Sequence, residues 1–267
     1  MKKAFIFWGA TYMTSMILTG CGGNKSTEGN ENSNSEAERP KKIMKEVITD
    51  DNPDAIHSKT VINYDTIGKI TEEIHFDKGD KLISREKYIY NEYGDKVEWK
   101  IIHNDSKSSQ KTVYIYDSSR KLIKEIRNIT TDISSDVSNA YYTYDSKGRL
   151  TRADFENSFT TRHEFVYDKN DKLKSKIYYN KDGSKDIENF DENGNKTGDE
   201  SSSFKYDEKN NIIEEIHDYP YGISKFTFEY KYNEQGNWIE RKSYFSESRT
   251  KSGKLRSIET KVITYYP

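Results

Sequence analysis

The chain has 267 residues, a formal net charge of −2 and a single cysteine. Leu, Ile, Val and Phe account for 51 of the 267 residues. That is just under the roughly 20% that marks disorder, but the marker also requires a high net charge, which is missing here. With 33% charged residues and 21 Tyr, the chain can bury a thin core built largely from tyrosine. The composition excludes collagen, a coiled coil and a multi-pass membrane protein, and its balanced charge offers no basis for bulk nucleic-acid binding.

The N-terminus reads as an address. Lys2 and Lys3 precede a mostly apolar stretch from Ala4 to Ile17. This stretch is too short, and too interrupted by Thr and Ser, for a span of about 20 apolar residues. It ends in Leu18-Thr19-Gly20-Cys21, which resembles the lipobox of bacterial lipoproteins. The resemblance implies cleavage between Gly20 and Cys21, and a thioether-linked diacylglycerol on the Cys21 sulfur carrying fatty acids such as palmitate. The thiolate is the strong nucleophile that S-alkylation needs. With one cysteine, no intramolecular disulfide forms. Residues 1–20 are therefore expected to be a lipoprotein signal peptide. The expected location is the bacterial cell envelope, with attachment to the outer membrane on a face that the sequence leaves open.

Gly22 to Glu38 holds no apolar residue except Ala37 and cannot offset its own ordering entropy. As a Gly/Ser-like coil, Gly22–Pro40 would reach about 22–26 Å. Ile43–Ile48 is compatible with a short strand or a helical turn, and 50–54 reads as a loop. Residues 21–58 are grouped as lipidated cysteine and tether, and 59–267 as a β domain.

That domain is a repeat. An aromatic followed by Asp or Asn recurs at Tyr64, Phe76, Tyr90, Tyr116, Tyr144, Tyr167, Tyr179, Phe190, Tyr206 and Tyr232. Four residues after the aromatic stands Gly (68, 94, 148, 183, 194, 236), or Asp171 or Asn210. An aliphatic or Trp238 often follows two residues later. This is hairpin chemistry: Asp/Asn opens the turn, Gly or Asn supplies positive φ, and the aliphatic restarts the strand. Upper turns after Tyr64, Tyr90, Tyr116, Tyr144, Tyr167, Phe190, Tyr206 and Tyr232 recur every ~24 residues, enough for two strands and two turns. The expectation is an all-β antiparallel meander of about sixteen strands, curled, open-barrelled or split into a two-layer roll. The weakest unit lies between Phe190 and Tyr206.

Aromatics two apart, such as Tyr88/Tyr90, Tyr114/Tyr116, Tyr142/Tyr144 and Phe228/Tyr230/Tyr232, share one face of their strands. Extending the pattern to descending strands puts Ile70, Ile74, Phe76, Leu122, Ile126, Leu173, Ile177, Trp238 and Tyr244 on that same face. One face would then be greasy and the other mostly solvated.

The Tyr-Asp-x-x-Gly pattern is similar to the YD repeats of the Rhs family, over about residues 60–240. Tyr178–Gly198 also resembles MORN-type repeats of a bacterial antitoxin-like group. These resemblances imply hairpin architecture and surface binding. They do not imply toxin encapsulation, because the chain is short and lacks an Asp-Pro segment.

No catalytic motif emerges. His57, His75, His103, His163 and His217 are scattered without metal-ligand spacing, and His75 and His217 read as exposed strand residues. Asp191–Asn195 has a calcium-like density of oxygens, but its glycine stands at the fourth position of the loop instead of the sixth, so it reads as a turn. Lys251–Arg256 reads as a solvated loop. No cofactor or metal is expected. The function expected is a non-enzymatic binding or scaffold lipoprotein, attached to the membrane by its lipid and presenting loops to a glycan or protein partner. An immunity-like partner of a toxin and a surface-polymer hydrolase are the alternatives. The tyrosine stripes are expected to be core, not a ligand platform.

Overall fold

The computed structural model describes residues 41–52, 54–105, 108–199 and 201–267. The signal sequence, Gly20, Cys21 and the tether to residue 40 lie outside the described residues. All strands belong to the compact unit Pro40–Pro267.

The described residues form seventeen strands and no helix. In chain order they are β1 Ile43–Asp50, β2 Lys59–Tyr64, β3 Ile70–Phe76, β4 Leu82–Tyr90, β5 Lys96–His103 and β6 Ser109–Tyr116. Next come β7 Leu122–Thr130, β8 Ser135–Tyr144, β9 Leu150–Phe155, β10 Thr160–Tyr167, β11 Leu173–Asn180 and β12 Lys185–Asn189. The last five are β13 Ser202–Tyr206, β14 Ile212–Tyr219, β15 Gly222–Tyr232, β16 Trp238–Ser246 and β17 Lys254–Tyr265. Fifteen of these belong to the eight expected hairpins, and β17 follows the last lower turn. The seventeenth is β1, from the segment grouped with the tether. It is held on both sides, by β2 and by β17, because Glu46, Val47 and Ile48 complete ladders that would otherwise leave two exposed edges.

Every ladder is antiparallel and joins sequence neighbours, except that β1 also pairs with β17. The sheet therefore runs unbroken from β12 through β11 down to β1, then through β17 back to β13. Its two edge strands are consecutive in sequence and share no ladder, so the sheet is not closed into a barrel. Two isolated bridges span the gap, Phe190↔Lys196 and Gly198↔Ser203. Each bridge is one lateral step of ~4.8 Å, so the sheet curls until its edges stand about two strand spacings apart. The descending strand missing from the weakest repeat unit is residues 196–198.

The upper turns share one internal bonding scheme. The side-chain oxygen of Asp65, Asn91, Asp117, Asp145, Asp168, Asp191, Asp207 and Asn233 accepts the amides two and four residues on. The residue three after the acid has positive φ, as at Gly68 (87°), Asn210 (62°) and Arg120 (63°). A register shift then follows after seven of these eight turns, all but that at Asp191, for example between Ile115 and Tyr116 opposite Leu122. It adds one unpaired residue and reverses side-chain parity beyond it.

That bulge corrects the expected faces. On ascending strands the aromatics do share one face, and Glu229, Lys231 and Lys205 on the opposite parity are exposed. On descending strands, Ile74, Ile126 and Ile177 lie on the other face, opposite Arg85, Val113 and Glu164. The aromatic face instead receives Glu73, His75, Glu125 and Lys176. His75 and His217 are thus part-buried on the aromatic face, not exposed. Both faces mix apolar and charged groups. Among the described residues the buried hydrophobics are Leu122, Ala140, Ala153 and Ile216.

Candidate functional site

The repeat side chains form a lattice along the upper half of the aromatic face. Tyr90, Tyr116, Tyr144 and Tyr167 each donate a hydroxyl hydrogen bond to a backbone carbonyl at the start of the preceding strand. The acceptors are Ile70, Lys96, Leu122 and Leu150, at 2.9, 2.7, 2.8 and 2.8 Å. Tyr206 and Tyr230 do the same to Lys196 and Ile212, each at 3.0 Å. The basic residue that ends a turn lies over the next tyrosine ring at Lys69 on Tyr90, Lys121 on Tyr144 and Arg149 on Tyr167, and Lys209, inside its turn, lies over Tyr232. Burial, then the Asp95 and Glu125 charges, push the Tyr116 phenol up to about 12. Tyr116 and Tyr144 are half-buried, each with its hydroxyl committed to the neighbouring strand.

Where the lattice breaks, at the gap between β12 and β13, a cavity of about 520 Å³ opens. Tyr178, Lys185–Asn189, Lys196, Gly198 and Asp199 line it. The Tyr178 hydroxyl donates to Glu188 at 2.5 Å, and Lys196 Nζ donates to the other Glu188 oxygen at 3.1 Å. Burial alone would raise the Glu188 carboxyl. The Tyr178 and Lys196 bonds, with the charges of Lys196 and Lys176, outweigh it and hold Glu188 below the ordinary range. Lys176 lies over the Tyr178 ring at 4.6 Å, and burial lowers its ammonium. Behind it, His163 is buried and wedged between Phe155 and Tyr178, ring centroids 4.5 Å from each. Burial, then Lys176, lower it to about 4, so it is neutral at pH 7. The cavity has the size of a ligand site, and the charges on its aromatic-face wall are already matched to each other.

The other sequence candidates stay apart. His57 stacks on His75 at 4.6 Å. His103 lines a second cavity of about 280 Å³ with Ile83, Asp105 and Ser108. His217 pairs with Glu215 at 2.6 Å. Among the described residues, no group of three or more His, Cys, Asp or Glu is arranged to hold a metal ion. The Asp191–Asn195 segment is a turn: Asp191 is occupied by the Asn193 and Asn195 amides. Lys251 is exposed, Lys254 and Arg256 are exposed strand residues, and Arg256 lies over Phe226.

Sequence reasoning missed three things. Asp80 and Arg120 take positive φ without being Gly or Asn; only their position four after an aromatic signals it. The lower-rim turns carry exposed apolar groups at Ile133, Phe159, Tyr219 and Tyr221, and nothing in the repeat motif marks these. The carboxylate pair Glu73/Glu86 is visible only once strand register is known.

No protein-family model matches the chain, and no curated protein matches it. Among solved structures, a porin-like protein from Bacteroides uniformis aligns with a TM-score of 0.45 and 10% identity, over 83% of this chain and 98% of that one. The Tc holotoxin pore of Photorhabdus luminescens aligns with a TM-score of 0.37 and 12% identity, over 78% of this chain and 13% of that one. The chain thus spans a small part of the toxin chain's length. Both likenesses are loose, and the functional conclusion rests on the chain's own residues.

Proposed function

We propose that this chain is a non-enzymatic, lipid-anchored scaffold of the bacterial cell envelope, built from YD-type repeats and displaying its lower-rim turns to a glycan or protein partner. Cys21 carries the anchor, and the residues up to 40 form the tether. The observation that carries this reading is the run of exposed apolar groups along the lower rim, more numerous than Ile67 and Tyr93 on the upper one. Upper-rim Asp, Tyr and Lys groups are committed to holding turns and sheet. The lower-rim turn residues Ile133, Phe159 and Tyr221 are exposed and serve no ladder, and Tyr219 is exposed at the end of β14, paired with Gly222.

Chain direction supports the same orientation. Ile43 pairs with Tyr265, and β1 runs antiparallel to β2, which ends in the upper turn after Tyr64. The chain leading back to Cys21 therefore leaves from the upper rim, and the apolar tips lie at the other. Attachment without spanning also fits the strand faces. Lys111–Glu98, Lys205–Glu214–Lys225 and Lys231–Glu240 ion pairs occupy the face opposite the aromatics, where a membrane barrel carries an apolar band.

Photo-crosslinking in cells tests the display. A crosslinker at Tyr221 or Ile133 should give discrete adducts, and one at Lys205 on the strand face should not. Equal labelling at all three, or none at either tip, would contradict the reading.

A further inference from the structure

Glu73 in β3 and Glu86 in β4 stand directly opposite each other on the aromatic face. Like charges in that position repel. Between them sits the Tyr88 hydroxyl, 2.8 Å from Glu73 Oε1 and 2.9 Å from Glu86 Oε2. A phenol carries one hydrogen, so it donates to only one of two carboxylates. The second short contact is attractive only if that carboxyl brings a hydrogen of its own.

The neighbours decide which one does. Trp99 Nε1 donates to Glu86 Oε2 at 2.8 Å, and His75 Nε2 lies 3.5 Å from Glu86 Oε1. Both stabilise an ionised Glu86. Glu73 has neither partner. Burial, then the charge of Glu86, push the Glu73 carboxyl up against the lowering effects of Tyr88 and His75. Glu86 is held down despite burial, by hydrogen bonds from His75, Trp99 and Tyr88. Other ionisable groups reach the cluster from the elements around it. Tyr64 of β2 relays toward Glu46 of β1, and Tyr90 of β4 feels Glu73. Lys96 of β5 faces Glu86. His57, stacked on His75, is lowered by burial and by His75 and His103.

We propose that Glu73, Tyr88 and Glu86 form a proton-sharing clasp between β3 and β4. A neutral Glu73 donates to the Tyr88 oxygen, and Tyr88 donates to an ionised Glu86. When Glu73 ionises, its proton leaves to water, the Glu73–Tyr88 bond turns repulsive, and the β3–β4 pairing loosens. A carboxyl raised in the folded state stabilises fully below its unfolded range and loses that contribution as pH climbs through its folded value. The clasp therefore weakens toward alkaline pH, opposite to ion-paired carboxylates such as Glu188.

The test uses the full-length protein in detergent micelles. Carboxyl-carbon NMR of Glu73, assigned through backbone correlations, should titrate above the ordinary carboxylate range while Glu86 titrates below it. In parallel, Glu73→Gln should melt several degrees above the parent at about pH 8.5 and level with it at about pH 5. Glu72→Gln, on the opposite face beside Arg85, should show no such gain. If Glu73 titrates within the ordinary range, or Glu73→Gln melts no higher than the parent at either pH, the clasp is wrong. If the variant does not fold, the NMR titration of the parent decides alone.

Discussion

A tyrosine at the end of an ascending strand does two jobs: its ring covers the aromatic face, and its hydroxyl ties that strand to the one before it. Removing the whole side chain therefore costs more than removing the hydroxyl. Tyr116→Ala and Tyr144→Ala should each destabilise toward the lower end of the ~3–5 kcal/mol seen for buried aromatics, because both rings are half-buried. Tyr116→Phe should lose about 1 kcal/mol for its bond to the Lys96 carbonyl. Lys205→Ala and Lys231→Ala, exposed and weakly paired, should change melting within ~0.5 kcal/mol. Thermal melting of the four alanine variants checks the face assignment, and equal losses would refute it. Gly68 isolates the turn conformation: nothing lies within 4 Å of an added Cβ, yet its φ is 87°. Gly68→Ala should cost about 1 kcal/mol from backbone strain alone. His163 supplies a pH signature. Burial, then Lys176, lower it to about 4, so its contribution is complete above its ordinary value near 6.5 and is lost as pH falls toward 4. His163→Phe should make melting less sensitive to acid over that window, and an unchanged pH profile would show that His163 does not titrate there.

At the scale of the element, the gap between β12 and β13 is the weak point. Two five-residue strands and residues 196–198 replace what elsewhere is a full hairpin. Hydrogen exchange should be fastest among the strands in β12 and β13, and slowest in central ladders such as β6–β7. Gly198 holds the crossing closed: a Cβ there would collide with the Ser202 carbonyl, at a φ of 87°. Gly198→Ala should raise exchange in β12 and β13 while leaving β4–β8 unchanged, and uniform protection would show that the gap is not held at this residue. Much of this was legible in the sequence. Asp or Asn followed by Gly fixed the upper turns, tyrosine pairs fixed the face of ascending strands, and the weakest unit fell where the sheet fails to close. The descending faces were not legible, because a one-residue bulge after seven of the eight upper turns reverses parity without changing the residue types that follow. Strand β1 was obscured because Ile43–Asp50 mixes charge and aliphatics without an aromatic-Asp turn of its own. Its place comes from two ladders over two hundred residues apart in the chain.

At the scale of the whole molecule, the described residues form one curled, single-layer sheet, and the proposed function adds a lipid on Cys21. Far-UV circular dichroism should be dominated by strand, and strong helical minima would contradict the fold. The proposed attachment turns on Cys21, which follows Leu18-Thr19-Gly20 as in a lipobox. Two or more acyl chains hold a protein far more firmly than one, at ~0.8 kcal/mol for each buried methylene, so loss of the sulfur should be decisive. The most direct measurement is fatty-acid labelling with membrane fractionation of the parent and of Cys21→Ser. The parent should carry label and sediment with membranes, while Cys21→Ser should be unlabelled and released. Undiminished label or unchanged membrane association in Cys21→Ser would contradict the anchored-scaffold account.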